Sequence, residues 1–490
     1  MTRRPRSRGW SRTAIRRALL LALLAAAPAG CATNPATGEK ELSLVSESQE
    51  IQIGRASDAE VVQTLGLYGG AELQGWVQSL GASLAAVSER PNLPWTFRVA
   101  DDPTVNAFAL PGGFVYVTRG LLAHLNSEAE LAGVLGHEIG HVTARHTASR
   151  ITNAQLANLG FGIGSVLLPD LARYGDLAGA GLQLLFLKYS RDDERQADEL
   201  SLRYLLRRGY DPRPMTDVFT VLRRVSELEG AGRLPDWLAS HPNPEERRVT
   251  FAQAVDSLGR DFSSATVDRE PYLRRLDGMV FGANPREGFF RDGVFHHPDL
   301  QFRMTFPAGW SSRNAKSSVA AVSPQRDAVV ELALAGEASL QAAARAFTAQ
   351  RGVRTGRFER RDVNGLPAVY AAFEAAAGDV PLLGIALFVE HGGRVYRMLG
   401  YSSRARWPAY ERGIAAALAS FAPERDPAVL AVQPARLELV TLPAVMTVEE
   451  FSRRWPSALP AERVALINHL EPGERAAAGT LLKRVVGGAS

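Results

Sequence analysis

A chain of 490 residues exceeds the usual size of one domain, so two or three are expected. Its hydrophobic share of 46% and charged share of 22% are those of a globular protein with an ample core, and they exclude a disordered or disulfide-dependent chain. The net charge of +4 does not point to nucleic acid, because residues 1–30 hold seven arginines and no acid, and without them +4 becomes −3.

Those first residues have the physics of an export segment. An arginine-rich start leads into the apolar run from Ala18 to Ala27, too short for a membrane-spanning helix. Ala29-Gly30 then precede Cys31, the only cysteine, so no intramolecular disulfide can form. A lone cysteine is usually a plain thiol, but this placement resembles a bacterial lipoprotein cleavage site and implies lipidation of Cys31. Pro28 departs from that pattern, where leucine is usual. Ala32 after the cysteine, rather than an aspartate, implies by the same resemblance sorting to the outer membrane. The expectation is a periplasm-facing lipoprotein of the cell envelope, held at the membrane through Cys31.

Residues 31–270 read as a mainly α domain with a small β-sheet. Helical periodicity is strong over 72–88, 127–150, 190–208 and 214–229. Strand patterns occupy 95–100 and 113–118, the second following the Pro111-Gly112 turn. The runs 156–168 and 177–187 are apolar, but Pro169, Asp170, Arg173 and Asp176 interrupt them. They read as core helices or helices covering a site, not as membrane spans.

The 127–150 segment carries His137-Glu138-Ile139-Gly140-His141, with Ser127 as N-cap and Glu130 three residues on. Residues four apart share a helix face at a spacing of roughly 6 Å, so both histidines can turn a nitrogen toward one ion. Zinc lowers the pKa of water at such a site toward ~7, and the neighbouring Glu138 carboxylate can take the proton and pass it to a leaving amine. Gly140 costs about 1 kcal/mol relative to alanine inside a helix, which predicts a close neighbour there. A pair of histidines at this spacing also arises on ordinary surface helices.

Two residues compete for a third ligand position. His146, five residues past His141, is rotated by about 140° on a continuous helix and reads as structural. Glu194 and Asp198, four apart in the 190–208 helix, present two carboxylates on one face. One can ligate while the other accepts the distal N–H of a ligand histidine and fixes its tautomer. Alone, the pair also fits a solvated charged face.

The ordered set Asn106-Ala107-Phe108-Ala109-Leu110-Pro111-Gly112-Gly113, then His137 to His141, then Glu194, Ala197 and Asp198, resembles the zinc metallopeptidases called gluzincins, of the HtpX, OMA and CAAX-prenyl-protease type. It is most similar to their periplasmic BepA- and LoiP-like lipoprotein proteases, whose start Cys31-Ala32-Thr33-Asn34-Pro35 also resembles. The resemblance spans residues 31 to about 255. It implies one Zn2+ per chain held by His137, His141 and Glu194, with Glu138 as general base and Asp198 supporting a ligand histidine. It also gives His241-Pro242 and Arg247 roles, where the bland alternative is a proline-started helix with a surface arginine. His241 would plug the open zinc position or act on the transition state, and Arg247 would stabilise the oxyanion. The strand after Pro111-Gly112-Gly113 would offer its edge to an extended substrate. The implied function is a zinc-dependent endopeptidase that cleaves misfolded or unassembled envelope proteins. The rival reading is a chaperone or peptidoglycan-anchored scaffold with a plugged or silent zinc site.

From about residue 290 the period changes to two, and residues 285–425 read as an α+β domain. Strands are expected at 302–306, 329–334, 368–373 after Asn364-Gly365, and in a hairpin of 384–390 with 394–402; helices are expected at 338–350 and 407–421. The domain has no metal cluster, phosphate loop or nucleophile pattern, His296-His297 reads as a loop pair, and the expected role is that of a substrate or partner adaptor. No 34-residue helical repeat is present. After a proline-containing linker, residues 435–490 read strand, helix, helix, strand. Thr447-Val448, Phe451, Leu466-Ile467-Asn468, Leu470 and Ala478 to Leu482 resemble LysM, a βααβ module that binds peptidoglycan glycans. Val445-Met446 stands where such modules open with glycine and aspartate. The fold expected is therefore multidomain: a mainly α zincin-type domain, an α+β domain and a small βααβ unit.

Overall fold

The computed structural model describes residues 31–160, 188–229, 236–377 and 380–488; the expected signal at 1–30 and the apolar stretch 161–187 lie outside them. A hairpin of β1 (Cys31–Thr33) and β2 (Lys40–Leu42) leads into α1 (Glu47–Leu65), which Ser46 and Gln49 start with a reciprocal capping box. Next come α2 (Ala71–Ala85) and the strands β3 (Thr96–Ala100), β4 (Ala107–Leu110) and β5 (Phe114–Thr118). These strands form one sheet in the order β3-β5-β4, with β3 parallel and β4 antiparallel to β5. The strand after Pro111-Gly112-Gly113 is thus the central one, paired on both sides, and has no edge to offer. The free edge belongs to β4, whose four residues are too few to show a period of two. The Thr118 N–H donates to the Asn106 carbonyl at 3.0 Å, which makes that pair hydrogen-bonded. Alternation along the antiparallel ladder then turns the N–H and C=O of Ala107 and Ala109 outward.

The helical layer follows: α3 (Arg119–His124), α4 (Glu128–Thr143), α5 (His146–Gly160), α6 (Arg191–Arg208), α7 (Met215–Glu229), α8 (Asp236–Ser240), α9 (Pro244–Ser257) and α10 (Arg269–Leu276). The helix expected over 127–150 is two helices, because Arg145 takes a left-handed φ of 60°. Leu131, Leu135 and Ile139 of α4 enter one core with Val117 of β5, Leu200 and Tyr204 of α6, Phe219 of α7 and Phe251 of α9. Among the described residues no helix is long and apolar enough to cross a membrane.

The accessory region has two antiparallel sheets. One runs β17-β8-β7-β6, made of β6 (Phe289–Arg291), β7 (Val294–His297), β8 (Phe302–Thr305) and β17 (Ala422–Pro423). The other runs β12-β14-β15-β16-β11-β10-β9, with β13 also paired to β14. Its strands are β9 (Ser311–Asn314), β10 (Ser318–Val322), β11 (Ala328–Leu334), β12 (Arg354–Thr355), β13 (Glu359–Val363), β14 (Leu366–Ala377), β15 (Val380–His391) and β16 (Arg394–Ser403). Helix α11 (Leu340–Thr348) packs on Val369, Phe373 and Phe388, while α12 (Trp407–Ala419) packs on the side of Ala368, Ile385 and Leu387. The two helices therefore cover opposite faces of the sheet. His296 and His297 lie in strand β7 and not in a loop, so alternation sends them to opposite faces. The short runs 289–297 between turns carry no clear alternation, which is why that strand was not legible.

The expected linker carries a short helix, α13 (Pro427–Leu430), before the terminal unit. That unit comprises β18 (Arg436–Thr441), β19 (Met446–Thr447), α14 (Val448–Arg454), α15 (Ala461–Ile467), β20 (Arg475–Ala476) and β21 (Leu481–Val486), with β18 antiparallel to β21. The expected strand, helix, helix, strand order is that of its longer elements, and a two-residue pair of β19 with β20 is added between them. The unit is docked and does not stand alone. Leu437, Leu466, Ile467, Leu481 and Val485 belong to the same core as α4. The fully buried Lys483 donates through Nζ to the carbonyls of Ala123 at the end of α3 and Leu125 just after it, at 2.7 and 2.8 Å. Asn126 Nδ2 donates to the Ile467 carbonyl at 3.1 Å.

A chain ending at Pro434 should therefore fail to fold in its helical part. Burial of the five apolar side chains named above is worth about 1.5–3 kcal/mol each, comparable to the whole stability of about 5–15 kcal/mol of a typical domain. Thermal melting of residues 31–434 against 31–490, followed by circular dichroism, checks this. Two superimposable melting transitions would show that the terminal unit is only peripherally attached.

Candidate metal centre

Two helices meet at unusually short range to build the site. Gly133, Gly136 and Gly140 lie along one face of α4. A Cβ on Gly140 would stand 3.1 Å from both the Cα and the carbonyl oxygen of Ala197, and one on Gly136 would stand 3.0 Å from Ser201 Oγ, both on α6. Ser201 Oγ in turn donates to the Gly133 carbonyl at 2.7 Å. The close neighbour that Gly140 predicted is the backbone of α6. Ser190 and Asp193 start α6 with a capping box, which sets the phase that turns Glu194 and Asp198 to α4.

His137, His141, Glu194 and His241 converge, all buried, with one donor atom from each within 4.8 Å of the others. His137 Nε2 is 3.0 Å from His141 Nε2 and 3.3 Å from His241 Nδ1. Glu194 Oε1 is 2.9 Å from His241 Nδ1 and 3.4 Å from His141 Nε2. Ligands about 2.0–2.1 Å from a tetrahedral zinc ion lie about 3.3 Å from one another, so these edges fit that ion. The donor set of imidazoles and a carboxylate fits it as well. So does the charge: Glu138, Glu194 and Asp198 are three buried carboxyl groups facing one guanidinium, Arg247. With all three ionised, a divalent cation closes the balance. Both oxygens of Glu138 are buried and lack a hydrogen-bond partner among the described residues. His241 Nε2 lies 3.6 Å from Glu138 Oε1.

The outer nitrogens fix the tautomers. Asp198 Oδ1 and Arg247 Nη2 lie 2.9 and 3.2 Å from His137 Nδ1; a proton on Nδ1 directed at the carboxylate leaves the Nε2 lone pair facing inward. His141 is oriented by the residue set aside as structural. Gln196 Oε1 accepts from His146 Nε2 at 2.8 Å, leaving His146 Nδ1 to accept from His141 Nδ1 at 2.8 Å. His141 Nε2 is thereby free for an ion. The α4–α5 break at Arg145 brings His146 back beside His141, and helical spacing alone could not show this. Burial pushes the His141 pKa well below its ordinary value, which keeps the ring neutral and able to ligate.

Arg247 binds Asp198 through Nε at 2.8 Å and Nη2 at 2.6 Å, and its Nη1 lies 2.7 Å from Glu194 Oε2. Its guanidinium also sits over the rings of Phe219 and Trp237, at 4.8 and 5.0 Å. Burial works to raise the pKa of Glu194, but His241 and Arg247 outweigh it and hold that carboxyl well below its ordinary value. Burial is likewise outweighed at Asp198, by Arg247, so this carboxyl is lowered too. His241 stacks on Trp237 at 4.7 Å, and Tyr189 stacks on His141 at 3.8 Å. The Tyr189 N–H donates to the Ser240 carbonyl at 3.0 Å, tying the two aromatic walls together. Sequence reading missed Tyr189, Trp237 and Gln196, since single aromatic and amide residues carry no spacing signal. Cys31 lies in β1, away from these residues in sequence.

Residues 71–254 match the sequence profile of Peptidase family M48, and that segment holds every residue of this centre. Over 173 residues the chain is 39% identical to mitochondrial metalloendopeptidase OMA1 of Arabidopsis thaliana, a match covering 35% of this chain and 33% of that protein. It is 36% identical over 186 residues to a putative beta-barrel assembly-enhancing protease of Vibrio cholerae, covering 36% of this chain and 37% of that one. With the beta-barrel assembly-enhancing protease of Escherichia coli (strain K12) it shares 30% identity over 224 residues, or 44% and 45% of the two chains. The chain thus spans less than half the length of these curated relatives.

A side chain at Gly140 should drive α6 away from α4. Gly140→Val is expected to cost about 1–3 kcal/mol by overpacking and to lower zinc content in parallel, read by urea unfolding and metal analysis. Zinc binding equal to wild type would show that the helix contact does not set the ligand geometry.

Proposed function

We propose that the chain is a zinc-dependent endopeptidase of the bacterial cell envelope that cleaves unfolded or unassembled envelope proteins. The observation that carries this reading is the buried, unpartnered carboxylate of Glu138 beside a cluster of three imidazoles and Glu194. A scaffold has no use for such a carboxylate, whose burial without a partner is costly. The M48 match and the protease names of the relatives support the same reading. The envelope assignment rests on the export segment and on Cys31 as the lipidated residue. A peptidoglycan partner rests on the βααβ order of the terminal unit.

His137, His141 and Glu194 would hold the ion, with Asp198 and His146 orienting the two histidines. Zinc bound there supplies Lewis acidity, polarising the scissile carbonyl and making water acidic enough to deprotonate near neutral pH. Glu138 accepts the proton from that water as its oxygen adds to the carbonyl carbon, then delivers it to the amine nitrogen as the C–N bond breaks. Arg247, engaged with Asp198 and Glu194, acts as a clamp on the ligand carboxylates; an oxyanion role requires it to release one of them. The substrate would lie along β4 as an added strand, using the outward N–H and C=O of the half-buried Ala109.

His241 supports a second reading. Its Nδ1 lies 3.3 Å from His137 Nε2 and 2.9 Å from Glu194 Oε1, where it would serve as a fourth ligand, and a four-ligand site would be closed to substrate. With the plug held permanently the chain would be a chaperone or scaffold; with a plug that swings out, His241 becomes a donor to the oxyanion.

Zinc content and casein degradation of wild type, Glu138→Ala, Glu194→Ala and His241→Ala separate these readings. Glu138→Ala should keep zinc and lose about 10²–10⁴-fold in rate, whereas Glu194→Ala should lose zinc and His241→Ala should keep it and cleave faster. Zinc retained without cleavage by wild type or His241→Ala would leave the scaffold reading standing. For the substrate edge, Ala109→Pro removes one outward N–H without touching the ladder to β5, and should raise KM about five-fold with kcat little changed. An unaltered KM would exclude strand addition at β4.

A further inference from the structure

The accessory region concentrates positive charge on one sheet edge. Residues 345–361 contain six arginines and one glutamate, in a chain whose residues after 30 carry a net charge of −3. Arg345, Arg351, Arg354, Arg357, Arg360 and Arg361 are all exposed. Arg354 pairs with Glu374 at 3.0 Å, and Arg361 approaches Glu359 at 3.6 Å. Arg345, Arg351, Arg357 and Arg360 have no carboxylate partner among the described residues. Arg345 on α11 and Arg360 on β13 flank a trough of about 650 Å³, floored by the apolar atoms of Ala344, Ala349, Phe358 and Val369.

The strand beside this trough has a free edge. β13 pairs with β14 alone, through the two-residue loop Asn364-Gly365, both at positive φ. In such a hairpin the closing pair Val363–Leu366 is hydrogen-bonded, so Arg361 and Glu359 bond inward while Arg360 and Asp362 turn N–H and C=O outward. Pro367, which has no N–H, sits opposite Asp362 in a non-bonded pair, as that phase requires. An edge strand with an apolar trough between it and a helix is the geometry that receives an extended peptide as an added strand. Charge on an edge strand by itself serves to prevent self-pairing, but that role needs no apolar trough. Lipid head groups would use the guanidinium groups and leave the outward backbone groups idle.

We propose that the trough between α11 and β13 binds an extended acidic segment of another polypeptide by strand addition to β13. Every second side chain of the added strand faces the trough, where carboxylates meet Arg345 and Arg360 and apolar side chains meet Phe358 and Val369, all on one face of the sheet. Such a site makes the accessory region a receptor for partner or substrate chains, independent of the metal centre.

The full chain carrying Glu138→Ala, which keeps the probe intact, is titrated with a fluorescein-labelled peptide repeating valine-threonine-glutamate-threonine, whose valines and glutamates share one face, and anisotropy is read. Saturable binding is expected, weakened about ten-fold or more by Arg345→Glu combined with Arg360→Glu and weakened by added salt. N-methylation of alternate peptide amides on the pairing side should abolish it, and chelation of the metal should leave it unchanged. Both arginines are exposed, so the double variant keeps its fold, and a thermal melt verifies that. Equal binding of the same peptide with lysine in place of glutamate, or of the N-methylated peptide, overturns the proposal. So does loss of binding on chelation, or a double variant that loses only its affinity for phosphatidylglycerol vesicles. None of these outcomes bears on cleavage at the metal centre, which the casein assay reads separately.

Discussion

The contact between α4 and α6 governs everything at the metal centre. Two histidines on one helix can gather with Glu194 of another, and His137 can meet Asp198, only if the helix axes approach closely, and side chains at 136 and 140 would prevent that. Glycine inside a helix is a standing cost of about 1 kcal/mol per residue. Here it is offset by what the approach permits: Glu194 within ligand range of His141, and Asp198 against the far nitrogen of His137. The site is therefore a property of the helix pair more than of the five-residue motif. Helix packing dense enough to exclude water also makes the buried carboxylates costly, and Arg247 with its two-sided grip compensates them.

The second consequence is closure. Trp237 and Tyr189 form aromatic walls that hold the His241 ring beside His137 and Glu194. A catalytic zinc site keeps one position open, so under the proposed function the scaffold that brings the ligands together would also carry the group able to block them. His241 sits at the end of the short α8, one hydrogen bond from Trp237, and not in the middle of a long helix. Such a placement allows the ring to leave without disturbing the helices that bear His137, His141 and Glu194. The far end of α4 is braced by the terminal unit, through Lys483 and Asn126, so movement is better accommodated at α8 than along the ligand helix.

Much of this was legible in the sequence where chemistry is carried by regular spacing. The i and i+4 histidines, and the i and i+4 carboxylates, follow from helical geometry, and both pairs fall where they were expected. The period-two strands of the accessory region and the strand-helix-helix-strand order of the end follow from alternation. What stayed hidden depends on single residues or on distant contacts. The left-handed turn at Arg145 has no pattern, yet it converts His146 from a residue on the wrong face into a partner of His141. The four-residue β4 is too short to alternate, so the sequence pointed to the central strand as the one with a free edge. The docking of the terminal unit rests on Lys483 and a handful of leucines and valines whose partners are hundreds of residues away.

X-ray absorption at the zinc edge, on the purified wild-type chain and on His241→Ala, reads the ligand set directly. Three imidazoles and one carboxylate oxygen are expected in wild type, falling to two imidazoles in the variant. A protein that takes up no zinc, or one that keeps three imidazoles after the substitution, would mean that His137, His141, Glu194 and His241 do not share one ion.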